Sequence, residues 1–127
     1  MLDVLICVYY DNFIEKFIRC NIVYQVTVNE ANLRNDHIYL TEILSIFPQE
    51  CIGGKNSETK GTELKITYKV NGRSKSFVTD IAGDKKIFRK RGKTSGTGML
   101  LDDLNVKAGD KLIFKKIDDF HFDIELA

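Results

Sequence analysis

Tryptophan is missing from the chain and proline occurs once, at Pro48, two absences that exclude little on their own. Cysteine says more. Cys7, Cys20 and Cys51 are an odd number without a CxxC pair, which argues against both a disulfide framework and a zinc ribbon and points to a reducing compartment, the cytoplasm. A long hydrophobic run is also missing. The apolar stretch Val4 to Tyr10 is too short to span a bilayer. Asp3 precedes it, and neither a basic leader region nor a small-residue cleavage site accompanies it. It reads as core, and no membrane partner is expected. Finally, there is no surplus of one charge. Nineteen Lys and Arg against eighteen Asp and Glu leave a formal charge of +1, so any case for a polyanionic partner must be local.

What is present fits one globular domain spanning residues 1–127: the chain is 43% hydrophobic and 29% charged, long enough for one core and too short for two ordinary ones. The charge is segregated along it. Six of the nine residues from Lys85 to Lys93 are basic, whereas acids gather at Asp102, Asp103, Asp118, Asp119, Asp123 and Glu125.

Phe13, Ile14, Phe17 and Ile18 share one helical face after Asn12, with Glu15 as a capping partner, so a short N-terminal packing helix is expected. Ile22 to Val28 alternates as a half-buried strand. A polar stretch, Asn29 to Asp36, leads to a short strand at His37 to Leu40. Thr41 then caps a helix carrying Ile43, Leu44 and Phe47 that ends at Pro48. Gln49 to Gly61, with Gly53, Gly54, Asn56 and Ser57, reads as a mobile loop that has room for a contact. Leu64 to Val70 and Arg73 to Ile81 form a hairpin through Asn71-Gly72, the type I′ turn signal. Ala82-Gly83-Asp84 is the next reversal, and Ile87 to Arg91 a further strand. A short helix follows around Met99 to Leu104, freed to turn by Gly96 and Gly98. Lys111 to Ile117 and Phe120 to Leu126 close the chain as strands, with Phe120, Phe122, Ile124 and Leu126 facing inward. About seven strands with two or three short helices suggest a closed or nearly closed antiparallel barrel, since closure removes exposed edges.

Catalytic motifs are weak. Gly92-Lys93-Thr94 fails as a P-loop because its first glycine would have to stand at Ile87. Glu63-Leu64-Lys65 resembles the ExK end of a metal-dependent nuclease, but no Asp occurs between Asp36 and Glu63. His37 and His121 lack recognisable partners and read as structural. The group Asp118, Asp119, Asp123 and Glu125 lacks calcium-loop spacing and reads as a solvated turn and outer strand face. No catalytic, metal or cofactor site is expected. The strongest signal is Asp84 to Lys93 (DKKIFRKRGK), where basic side chains leave both faces of a short strand. That suits a projecting arm whose Arg and Lys meet phosphates and base edges, against the alternative of a charge-protected edge strand.

Three segments carry a resemblance: HIYLTEILSIFP (His37 to Pro48), TDIAGDKKIFRKRG (Thr79 to Gly92) and LNVKAGDKLIF (Leu104 to Phe114). In this order and spacing they resemble the B3 DNA-binding pseudobarrel, and more closely its branch in bacterial restriction endonucleases of the EcoRII and BfiI kind than the tryptophan-bearing plant domains. The likeness covers residues 22–126 and leaves 1–21 as an addition. It implies a mainly β, seven-stranded open antiparallel pseudobarrel with two or three short helices. It also implies two arms gripping the major groove of double-stranded DNA. The N-arm would offer Asn32, Arg34, Asn35 and Asp36. The C-arm would offer Asp80, Asp84, Lys85, Lys86 and Arg89 near bases, with Lys90 and Arg91 nearer phosphates. Compactness, Met1 and the end at Ala127 suit the N-terminal recognition domain of a larger restriction subunit, similar to the McrB-like LlaJI type. The expected function is therefore target recognition in a restriction-modification system, with cleavage or NTP hydrolysis left to other domains or subunits. The rivals are a small nuclease using Glu63 and Lys65, and a protein-interaction barrel that touches no nucleic acid.

Overall fold

Alternation of apolar and polar residues builds the longer strands of this chain, and the computed structural model shows a mainly β domain. It describes residues 3–9, 18–55 and 57–127, with side chains from residue 24 onward, Ser57 excepted. Residues 12–17 of the expected N-terminal helix lie outside this range, and Ile18 opens a strand instead.

Two sheets form, one of six strands and one of three. The apolar stretch near the start becomes β1 (Asp3–Tyr9), antiparallel to β2 (Ile18–Thr27). The short strands β3 (Ile52–Gly53), β6 (Ile81–Ala82) and β7 (Ile87–Phe88) make the small sheet in the order β3-β6-β7. The large sheet runs β1-β2-β8-β9-β4-β5, with β4 at Leu64–Val70, β5 at Arg73–Thr79, β8 at Lys111–Asp118 and β9 at His121–Leu126. It does not close, because β1 and β5 remain its outer strands. Nor is the architecture wholly antiparallel as expected: β4 runs parallel to β9, and β3 parallel to β6. Each parallel contact joins segments distant in sequence, which local alternation does not report.

The β4–β5 hairpin turns through Asn71 and Gly72, both at positive φ (51° and 78°), as a type I′ turn requires. Inward residues of β4, β8 and β9 (Leu64, Ile66, Tyr68, Leu112, Phe114, Phe122 and Ile124) are fully buried. The inward face expected of the last strand holds only at its centre, since Phe120 is half-buried and Leu126 is exposed. Phe47 caps the core, its ring 4.6 Å from that of Phe122 and edge-on to Phe88 and Phe114. The tyrosine at the core's rim keeps a polar handle: Tyr68 Oη donates to Asp103 Oδ2 at 2.7 Å, and Lys75 Nζ reaches the same oxygen at 2.9 Å. Those two donors hold the Asp103 carboxyl below the usual range.

Helical segments depart furthest from the sequence reading. The polar stretch after β2 is an α-helix, α1 (Glu30–Asn35), and the strand expected at His37 to Leu40 is reduced to one bridge, Tyr39 to Ile87. Thr41–Ile46 is a 3-10 helix that ends before Pro48 as expected, without the predicted Thr41 cap. The second α-helix, α2 (Gly96–Asp103), starts at the glycines, and Ser95 Oγ accepts from Gly98 N at 3.0 Å. Gly96 is required there: a Cβ would lie 2.3 Å from the Phe77 ring.

Candidate nucleic-acid interface

The N-arm is built on a capping box. Asn29 Oδ1 accepts from Asn32 N, and Asn32 Oδ1 accepts from Asn29 N, both at 2.8 Å. Asn32 is therefore a buried structural residue, 2% exposed, and not the base reader expected. The helix ends at Asp36 in the left-handed region (φ 55°). This turns the carboxylate onto the first turn of α2, where a Cβ on Gly98 would lie 2.8 Å from Asp36 Cγ. Arg34, Asn35 and Asp36 are exposed.

The C-arm is the β6–β7 hairpin and its flanks. Lys86, at φ 57°, closes the turn by donating its N–H to Ala82 O at 2.7 Å, and its own carbonyl accepts from Leu40 N at 2.8 Å. That bond and the Tyr39–Ile87 bridge fasten the two arms side by side. Between them opens a cleft of about 370 Å³. Asn35, Asp36 and His37 line one side, and Asp84, Lys85 and Lys90 the other. Lys55, Arg89 and Ser95 also line it. Two segments some fifty residues apart, singled out separately in the sequence, thus meet on one concave surface. Lys85 and Lys90 are exposed and Lys86 is half-buried.

Asp80, Arg89 and Arg91 require correction. The strand expected through Arg91 stops at Phe88, and the chain then turns its arginines inward. Asp80 is fully buried; its Oδ1 accepts from Arg89 Nε at 2.9 Å and from Arg91 Nε and Nη2 at 3.2 and 3.1 Å. Its Oδ2 accepts from Gly61 N at 2.7 Å. Arg89 Nη2 also donates to Gly54 O at 2.7 Å, and Arg91 pairs with Glu63 at 2.9 Å. The side chains of Arg89 and Arg91 are only 8% and 20% exposed. A buried carboxylate is tolerated when charge-assisted donors surround it. Asp80 therefore holds the arm from beneath and does not read bases, while Arg89, which also lines the cleft, and Arg91 are both engaged by that carboxylate. The loop expected at Gln49 to Gly61 carries backbone bonds of its own at its described residues. Gly53 pairs with Ala82, Gly54 N bonds Thr59 O at 2.7 Å, and Thr62 N bonds Glu50 O at 2.7 Å.

Glu63, the candidate nuclease acid, is the partner of Arg91. The acidic group near the end divides between structural tasks. Asp118 accepts from Phe120 N, Asp123 accepts from Thr67 Oγ1, which also contacts His121 Nε2, and Glu125 pairs with Lys115. Cys51 is buried, and its thiol is pushed up to about 11 by that burial and by the nearby Glu50 and Asp80 charges. It stays protonated at neutral pH.

The cleft also holds His37, which the sequence reading took as structural, and Lys55, to which it gave no role. The only signal for Lys55 was its place in the glycine-rich loop. His37 packs edge-on to Tyr39, and its Nδ1 is buried without a partner among the described residues. Burial first, then the charge of Lys85, holds its pKa below 6.5, while Asp36 pulls the other way. The folded chain thus binds this proton less readily than the unfolded chain. Stability is full above pH 6.5 and declines as pH falls from there through the lowered folded pKa. Denaturant melts at pH 7.5 and 5.5 should show this decline, and His37→Asn should flatten it. An equal decline in the variant would remove His37 from the account.

No family model matches the chain, and no curated protein matches it.

Proposed function

We propose that this chain binds double-stranded DNA in a sequence-specific manner and serves as the target-recognition module of a restriction-modification system in the cytoplasm. On this reading the two sheets are an open B3-like pseudobarrel, and cleavage or NTP hydrolysis belongs to other domains or subunits.

One observation carries the reading: the N-arm and the C-arm converge on a single open cleft whose exposed lysines, Lys85 and Lys90, make no ion pair among the described residues. Concave surfaces lined by cations focus the field that attracts a polyanion. The polar groups beside them match base edges. Asn35 offers the bidentate pattern that suits adenine, and Asp36 and Asp84 accept from the cytosine amino group. Lys85 reaches toward bases or phosphates, while Arg34, Lys86 and Lys90 take phosphates.

Selection of bound duplexes from a random pool, followed by sequencing, tests this. A short enriched motif is expected, and Asn35→Ala should relax preference at one position of it by about 1 to 3 kcal/mol. Retention of duplexes with no enriched motif would contradict specific recognition. Failure to retain any duplex at low salt would instead favour the protein-interaction barrel.

A further inference from the structure

The segment that leaves β3 at Gly53 and runs to β4 contains no apolar periodicity and two further glycines, Gly54 and Gly61, a composition that alone describes a flexible connection. Yet its two ends are fixed by the arginines of the C-arm. Arg89 Nη2 donates to Gly54 O at 2.7 Å, and Arg91 Nη2 to Gly61 O at 3.3 Å. The carboxylate that holds both arginines also takes the Gly61 N–H. Backbone approaches backbone so closely that only glycine fits: a Cβ on Gly53 would lie 2.5 Å from Gly61 N and 2.8 Å from Asp80 Oδ2. Between these anchors the exposed side chain of Lys55 lines the same cleft as Asn35, Asp36, Lys85 and Lys90.

We infer that this loop is a third DNA-contacting element and that Lys55 binds a phosphate of the duplex held between the arms. The inference rests on the proposed function above and adds to it an element that neither arm contains. The arginines thereby acquire an indirect part, since they set the position of a loop cation. A lysine on an anchored loop loses less conformational freedom on binding than one on a free loop. Its contact with the backbone carries no sequence information, so every duplex gains alike.

The test is the affinity of the full chain, its Lys55→Ala and Lys55→Arg variants and a Lys85→Ala control for a random-sequence duplex, measured from 50 to 300 mM salt. Loss of one phosphate contact should make the log affinity against log salt line shallower by about one, which near 100 mM is about a tenfold loss. Lys55→Ala should show this for all duplexes alike, with an unchanged melting temperature, and Lys55→Arg should restore the slope. If the parent binds and Lys85→Ala weakens it while Lys55→Ala keeps the parent's slope and affinity, the third contact is wrong and the two-arm reading stands. If the parent fails to bind at 50 mM salt, the DNA reading itself fails, and the loop contact with it.

Discussion

Replacing Asp80 with asparagine should lower the stability of the folded chain by about 3 to 5 kcal/mol, the usual cost of removing one partner from a buried ion pair. The size follows from what remains. Arg89 and Arg91 would keep two guanidinium groups facing a neutral amide, with Arg89 almost wholly enclosed, and the charge left behind is what makes the loss large. The effect should also spread along the chain, because Asp80 fastens Gly61, and through Arg89 it fastens Gly54. In thermal melts the fall should be on the order of 10 to 20 °C for a domain of this size. Lys85→Ala and Lys90→Ala, which alter exposed cleft side chains, should stay within about 0.5 kcal/mol of the parent. An Asp80→Asn variant that melts with the parent would show that the carboxylate is dispensable to the fold.

This contrast marks where the sequence was readable and where it was not. Local patterns gave sound results where neighbours in sequence are neighbours in space: the Asn71-Gly72 hairpin, the closing pair β8 and β9, and the helical turn ending at Phe47-Pro48 all lie where alternation and turn chemistry put them. Helix α1 was missed because only Asn32 of its residues is buried. An Asn at each end of its capping box also departs from the usual Ser/Thr and Glu/Gln signal. The parallel pairs β4–β9 and β3–β6 leave no local trace. The run IFRKR hid the largest surprise. Its arginines have the composition of a solvated arm, and only the position of Asp80, nine residues before Arg89, reveals that they turn inward.

The candidate site was legible in the same uneven way. Asn35, Asp36, Asp84, Lys85 and Lys90, from two separate segments, line one cleft. Arg34 is exposed on α1 without lining that cleft. Asn32, Asp80, Arg89 and Arg91 serve the scaffold. Residue type alone does not separate an arginine that meets a phosphate from one that neutralises a buried carboxylate, because the guanidinium fork suits both.

The most direct measurement of the central claim is the salt dependence of duplex affinity for the parent and for a Lys85→Ala/Lys90→Ala double variant. Both lysines are exposed on the cleft, and each phosphate contact contributes close to one unit of slope through the counterions it releases. The double variant should therefore give a line shallower by about two, amounting to roughly a hundredfold weaker binding near 100 mM salt, with its melting temperature unchanged. Lys115→Ala, which removes a lysine paired with Glu125 on β8, should keep the parent's slope. Parent and double variant binding duplex DNA with one slope and one affinity, or a parent without measurable affinity at 50 mM salt, would contradict the assignment of this cleft as a DNA-binding surface.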